Sequence, residues 1–544
     1  MSRELFSFHG GVHPPEHKSE SNTRPIHPTI LPRRLVIPVR QHSGAPAKPI
    51  VEVGERVLKG QMIAIADSAI SAAVHASSSG IVTAIDLQTM PHASGLPDLC
   101  ISIATDGRDE WVARTPLDYR QHTPAALLAQ LRDFGLAGLG GAVFPSAVKL
   151  EAPTTIPTLI LNGGECEPWI TCDDVLMRHH AREILQGVAV MRHMLGSSEI
   201  LVGIEDNKPE AIAAMQHAAA TLDFAVDVIA LPTRYPSGGG KQMIKILTGK
   251  EVPSGKLPTD IGIQMFNVGT AYALYRAVFL GEPLISRVVT VTGHVLRPQN
   301  MHVLVGTPMQ ALIDAAGERD GSSGVLMGGP MMGIAMPNMQ VPVMKATNCV
   351  LVQSRELFAP LPPALPCIRC ARCADACPAN LQPQDLFRFA KVDDFERAQA
   401  YHLFDCIECG CCNYVCPSHI PLVDFYRYAK AQIGARTQEK QAADLARERH
   451  EFRLMRLARD KAEKADKLAA RAQAQRVAQS SGDAEAEAKR ALIAAALART
   501  QAQKTEAPRN TDDLPAHAQQ QIVEADARRA LIDESPADPS QENA

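Results

Sequence analysis

Nine of the thirteen cysteines fall between positions 367 and 416, and their spacing is the strongest chemical signal in the chain. The runs CIRCARCADACP (367–378) and CIECGCCNYVCP (406–417) each read C-x2-C-x2-C-x3-C-P. Three cysteines two residues apart on a tight loop can wrap one face of a cubane iron–sulfur cluster, while the fourth, carried away before the proline, reaches the other cluster. Cys367, Cys370, Cys373 and Cys416 are therefore expected to hold one [4Fe-4S] cluster, and Cys377, Cys406, Cys409 and Cys412 the second. Soft thiolates suit iron and sulfide better than carboxylates do. A pair of zinc knuckles would need only two C-x2-C pairs, leaving the third cysteine and the Cys-Pro of both runs without a purpose. Cys411 is a spare thiol, expected as a small buried residue, and Pro378 and Pro417 end the loops because proline lacks an N–H and fixes φ. Ile368 and Ile407 follow the first cysteine of each run and are expected to shield the clusters from water.

A second set of residues lies upstream. GLAGLGGAVFPSAVKL (135–150) places glycines at 138, 140 and 141, where a missing Cβ lets the backbone approach a flat or anionic ligand. It is not the G-x-G-x-x-G of a dinucleotide-binding unit, and its spacing alone suits a nucleotide site or a structural turn equally. LNGGECEPWITCDD (161–174) carries Glu165 and Glu167 at the end of a strand-like run, where ligands of α/β folds bind. Two acids there could accept hydrogen bonds from ribose hydroxyls or a flavin edge, or simply form a solvated acidic loop. YPSGGGKQM (235–243) and MFNVGTAYALYRAVF (265–279) complete a candidate pocket.

Taken in order, the glycine loop, the N-x-x-E-x-E-P element from Asn162 and the N-V-G-T-A-Y run from Asn267 resemble the flavin- and NADH-binding subunit of respiratory complex I. With the tandem cluster motifs and GGVHPPEHK (10–18), the chain is similar to the RnfC family of Rnf-type ion-translocating electron transport complexes, over residues 5–430. The resemblance implies FMN seated on Gly138, Gly140, Gly141, Lys149 and Asn162, with Asn267 and Thr270 on the flavin phosphate side. Phe144, Glu165 and Glu167 would face NADH. It further implies a peripheral subunit on the cytoplasmic face of the bacterial inner membrane, partnered with the other subunits of the complex. FMN would turn two-electron hydride transfer into single electrons, which clusters accept one at a time. The family motif continues G-G-A-G-F-P-T-G, whereas Val143 and Ala147 stand at the two later glycine positions here. Those two residues motivate an alternative: a non-catalytic iron–sulfur wire and docking subunit without flavin.

The elements that must position these residues give a multidomain α+β reading. Residues 1–115 hold short β-type runs with Val53-Gly54, Val57, Gly60 and Ile63, resembling the half-barrel of biotinyl and lipoyl carriers. No lysine lies between Gln61 and Ile85, which argues against a carrier role, and a structural barrel-sandwich module is expected. Residues 116–284 alternate strand-like and helical runs, as an α/β flavin- and NADH-binding domain would. Residues 285–350 are β-rich with one helix, a β-grasp-like domain by the same resemblance. The linker APLPPALP (359–366) opens a two-cluster ferredoxin-like helical domain at 359–430, and 431–544 is an Ala-rich, charged tail, helical or disordered. Leu445, Phe452, Met455 and Leu468 give that tail only a broken apolar seam.

Composition sets the outer limits. The chain has 544 residues, three or four domains by length, with 46% hydrophobic residues. A net charge of −4 argues against nucleic acid as a partner. No apolar run reaches the ~18 residues a membrane helix needs. The sequence MSRELFSFHGGVHPP lacks a secretory core, so a cytoplasmic location is expected.

Overall fold

Short strands punctuated by glycine turns build the β module that the first hundred residues suggest. In the computed structural model, residues 3–92, 94–151, 154–360, 362–480, 484–504 and 515–533 are described. Strands β1 (Arg34–Pro38), β2 (Lys48–Pro49), β3 (Arg56–Val57), β4 (Met62–Ile65), β5 (Val74–His75), β6 (Gly80–Thr89) and β7 (Pro97–Thr105) form two sheets. One has the order β1-β7-β6-β3, the other β2-β4-β5. Their inward residues, among them Leu35, Ile37, Ile63, Val74, Val82, Ile101 and Ile103, share one core. Residues 3–30 lie outside this module. They run along the next domain, where His17 stacks on Trp169 at 4.2 Å and the Lys18 ammonium donates to the carbonyls of Glu167 and Ile170.

After α1 (Pro124–Arg132) and α2 (Ser146–Leu150) comes a parallel sheet of β8 (Thr158–Gly163), β9 (Glu199–Glu205), β10 (Asp227–Leu231) and β11 (Ile263–Asn267). Its order is β10-β9-β8-β11. The unbroken apolar run of β8 suits a strand covered on both faces, as parallel sheets require. Helices α3 (Cys172–Leu195) and α4 (Pro209–Ala219) precede α5 (Gly240–Thr248) and α6 (Val268–Leu280). α3 and α6 cover one face through Ile184, Val188, Leu274 and Val278, while Met243, Ile244 and Leu247 of α5 cover the other. Gly187 of α3 permits that contact, because a Cβ there would collide with the Ala271 carbonyl of α6.

Strands β12 (Ser286–Gly293), β13 (Gln299–Leu304), β14 (Ser322–Met327), β15 (Ile334–Ala335) and β16 (Cys349–Ser354) form a mixed sheet of order β13-β12-β16-β14-β15, packed on α7 (Met309–Ala316). The expected border at residue 350 therefore falls inside β16, the central strand, whose ladder partners lie on both sides. Next come α8 (Arg372–Asp375), α9 (Pro383–Lys391), α10 (Phe395–Ala400), α11 (Cys411–Tyr414) and the start of α12 (Leu422–Ser480), around a core of Leu386, Phe389, Phe395 and Tyr426. Leu361 of the linker is outside the described residues.

The chain divides into two units, 1–436 and 437–544. The expected tail border at 431 lies within α12, because Ala429 and Ile433 still belong to the ferredoxin-like core. In the second unit the described residues are the rest of α12, α13 (Ala484–Lys504) and α14 (Ala516–Asp533), with Leu445, Phe452, Met455 and Leu468 all exposed. Residues 481–483, 505–514 and 534–544 of the tail lie outside the described set. Among the described residues no helix is long and apolar enough to cross a membrane.

Candidate functional site

The parallel sheet reverses its strand order between β8 and β11, and ligands of such sheets bind at the carboxyl ends beside that switch point. Asn162 is the penultimate residue of β8 and Asn267 the last of β11, and the two are direct register partners. Asn162 accepts from the Gly164 amide (2.9 Å) and donates to the Gly238 carbonyl (2.9 Å). Asn267 caps α6 by accepting from the Gly269 amide (2.8 Å) and donates to Asp173 (2.6 Å). The glycine loop lies against this edge: a Cβ on Gly140 would stand 3.0 Å from Asn267 Cβ. The Gly138 amide bonds the Phe144 carbonyl (2.8 Å), and the Leu139 amide bonds the buried Thr270 hydroxyl (2.9 Å). Gly141 has φ +102° and nothing within 4 Å of where its Cβ would be, so its backbone is open to close approach. The structure thus gathers Gly138, Gly140, Gly141, Asn162, Asn267 and Thr270 at one strand edge.

The charged candidates are turned to other partners. Lys149 donates to the Met265 carbonyl and lies 4.4 Å from the Phe266 ring, and burial pulls its amine down to about 8. Glu165 and Glu167 do not form a solvated loop; both are shielded, and burial raises both, Glu165 to about 7. Glu165 accepts from the Asp173 (2.8 Å) and Asp174 (3.3 Å) amides at the first turn of α3, where unpaired N–H groups need an acceptor. Glu167 accepts from the amides of Met331 (2.7 Å) and Met332 (3.1 Å), tying the loop to the β14–β15 turn. Beneath them the fully buried Glu205 takes Lys208 at 2.5 Å, the Ser237 hydroxyl at 2.7 Å and the Glu165 amide at 3.0 Å.

The cysteines form two quartets. Cys367, Cys370, Cys373 and Cys416 line one cavity, and Cys377, Cys406, Cys409 and Cys412 line another. Both loops turn through left-handed residues at matching places, Arg369 and Ala371 in one, Glu408 and Gly410 in the other. The Arg369 and Glu408 amides point at Cys367 and Cys406 sulfur, each at 3.4 Å. No carboxylate lines either cavity, so each donor set is four thiols, the set a [4Fe-4S] cluster takes. Burial pushes Cys406 up to about 11 and raises Cys373, Cys377 and Cys412, whereas the neighbouring Cys411 thiol lowers Cys409. Cys411 is fully buried and packs in one cluster with Cys409. Ile368 lines the first cavity and Ile407 the second; Ile368 is 68% exposed on its outer side, whereas Ile407 is half-buried.

The second quartet abuts the sheet edge: Cys409 and Cys411 pack with Val12, Tyr235, Cys166 and Met331. Several residues that hold it were not singled out from the sequence. Tyr235 donates to the Cys409 carbonyl (2.6 Å), His9 Nδ1 meets the Cys377 carbonyl (2.8 Å), Gln242 donates to Pro378 (3.2 Å), and the Gly11 amide donates to Ala376 (2.9 Å). Two stretches carried a hint of this: GGVHPPEHK, a motif without a stated role, which holds Gly11, and YPSGGGKQM, read as part of the pocket, which holds Tyr235 and Gln242.

Comparison with known proteins matches residues 6–108 to the RnfC barrel sandwich hybrid domain and 131–276 to the Nuo51 FMN-binding domain. Residues 288–335 match the SLBB domain and 366–420 the 4Fe-4S dicluster domain. Among solved structures, an NAD+-reducing [NiFe]-hydrogenase in the H2-reduced state aligns at TM-score 0.42 and 20% identity, covering 58% of this chain and 65% of that one. The RnfC protein of the ion-translocating oxidoreductase complex of Vibrio cholerae is 45% identical over 511 residues, 93% of this chain, which spans 65% of that relative's length. The corresponding protein of Yersinia pestis is 46% identical over 462 residues, 84% of this chain and 74% of its own length. A multidomain chain joining barrel-sandwich, FMN-binding, SLBB and dicluster parts, related to these proteins over most of its length, belongs to the RnfC family of ion-translocating oxidoreductase complexes.

Proposed function

We propose that the chain is a peripheral electron-transfer subunit of a membrane-bound ion-translocating oxidoreductase, working between NADH and the other subunits on the cytoplasmic face of the bacterial inner membrane. Its parts divide as 1–115, 116–284, 285–350, 359–430 and 431–544, with the border adjustments at β16 and α12 given above. Gly138, Gly140, Gly141, Asn162, Asn267 and Thr270 would hold FMN at the switch point; Lys149, below them, would contribute from the α2 side. Phe144, Glu165 and Glu167 would flank the nicotinamide, the acids acting first by fixing the loop. Bound FMN supplies the conversion between a hydride and single electrons. The chain's own residues orient it, exclude water and set its distance from the thiol quartets.

One observation carries this reading: one quartet packs against the strand-end loop that holds Cys166, while the other lies at the surface with Cys367 and Cys370 exposed. That placement gives an entry, an inner relay, an outer relay and an exit. The experiment is anaerobic purification of the full chain with iron, sulfide and flavin analysis. About eight irons per chain, released FMN and bleaching of the cluster absorbance by NADH support the proposal. Full iron without FMN or bleaching favours the second reading, a wire and docking subunit. That reading has its own support in Val143, which takes φ +47° where the family motif has glycine.

A further inference from the structure

The loop from Gly135 to Val143 is an irregular stretch whose shape must be imposed from outside. Its last residue is strained: Val143 sits at φ +47°, a conformation that crowds a β-branched side chain against its own backbone. Its carbonyl accepts the Ser43 amide at 3.0 Å, and the neighbouring Ala142 carbonyl accepts the Ser43 hydroxyl at 2.8 Å. Ser43 belongs to the turn between β1 and β2, in the β module. The first residue of the loop is held from the same module. Gly135 has φ +61°, and a Cβ there would collide with the Ala73 carbonyl just before β5. The buried Lys345 ammonium bridges the Gly135 carbonyl (2.7 Å) and the Ala73 carbonyl (3.3 Å). Between these anchors Leu139 is pinned at both ends, its amide by Thr270 (2.9 Å) and its carbonyl by Arg287 (3.3 Å).

We infer that the β module is a buttress for the glycine loop, and that Ser43 is a positioning residue which keeps Val143 left-handed and so presents Gly140 and Gly141 to the flavin. The ligand in this statement rests on the flavin reading above. Without the Ser43 hydroxyl the Ala142 carbonyl loses its donor and only the Ser43 amide still holds Val143, so Val143 relaxes more readily toward negative φ, and the bend would swing Ala142 and Gly141 off the Asn162–Asn267 edge. A lysine-bearing carrier hairpin is absent from this module, and the buttress gives its retained fold a task. Glycine at position 143 would adopt the same φ unaided, so the need for Ser43 arises from the valine.

The test uses the full chain, titrated anaerobically with FMN and followed by flavin fluorescence. Ser43→Ala is expected to weaken FMN binding by about three- to tenfold, the value of one hydrogen bond, with Ser43→Thr restoring it. In a Val143→Gly background the same Ser43→Ala change is expected to cost less than about twofold, a non-additivity that only a shared backbone conformation produces. Equal losses in both backgrounds, or no loss in either, overturn the inference. A second readout is amide hydrogen exchange at Gly138–Val143. If the unaltered chain takes up no FMN, the flavin reading falls, but exchange still decides on the buttress. Faster exchange in Ser43→Ala that Val143→Gly abolishes supports it, and unchanged exchange overturns it.

Discussion

The two cysteine runs share one spacing and one left-handed turn pattern, yet they meet different surroundings. Around the inner quartet, Cys377, Cys409 and Cys412 are buried, and the carbonyls of Ala376, Cys377, Pro378 and Cys409 each receive a donor from outside the ferredoxin-like segment. Around the outer quartet, Cys367 and Cys370 are exposed. The bonds nearby stay local, as between Leu365 and Ser418 at 2.9 Å or Ser418 and Pro366 at 3.0 Å. The lesson is that ligand spacing fixes which metal group a loop can hold, whereas contacts made by the ligands' backbone fix where that group stands in an electron path. A quartet clamped by its neighbours is an internal relay. A quartet left open is a terminal.

The largest effect expected from this contrast is a split between two cysteine variants. Cys409→Ala and Cys370→Ala should each lower bound iron from about eight to about four per chain. NADH-driven bleaching should vanish in Cys409→Ala, whereas Cys370→Ala keeps the bleaching of one cluster. Equal bleaching in both would erase the distinction between relay and terminal. Next, iron removal by a chelator, followed by absorbance in the oxidised protein, should proceed in two phases. The fast phase should disappear in Cys370→Ala and survive in Cys409→Ala. Smaller is Tyr235→Phe, which leaves the buried Cys409 carbonyl without its donor and should cost about 1–3 kcal/mol in denaturant unfolding monitored through the clusters. Its effect should fall on the inner cluster's paramagnetic signal and leave the outer one as it was. Smallest in stability is Ile368→Ser, under about 0.5 kcal/mol because the side chain is already in water. The same change should still slow reduction of a partner protein added to the NADH-reduced chain, read by stopped-flow, if the open quartet is the terminal.

What was legible in the sequence follows the range of the interactions involved. The quartets could be read because a cubane dictates ligand spacing within a dozen residues, and the strand-ending asparagines because apolar runs announce parallel strands. Val143 also announced itself, as a departure from a glycine pattern, and it does carry a left-handed φ. Ile368 lines the outer cavity as its place after the first cysteine suggests, but its 68% exposure depends on where the loop goes, which spacing does not encode. Glu165 and Glu167 looked like ligand groups, and sequence could not reveal that they also fix the loop by accepting from the amides of Asp173 and Met331. Ser43, Lys345 and His9 had no local signature at all, and Tyr235 lay in a glycine-rich run read for the pocket, since each acts on backbone far away in the chain.

The bond from His9 to the Cys377 carbonyl spans 368 positions of sequence. During translation at about 5–20 residues per second, the early segment waits tens of seconds for its landing place. It cannot dock elsewhere in the same way, since Gly10 comes within 2.6 Å of the Ala376 backbone at its would-be Cβ, a fit available only once the first cysteine loop has taken shape. This early segment thus completes its contacts at His9 to Gly11 only after the residues around Ala376 have been made, and closure there reports that the first cysteine loop has formed.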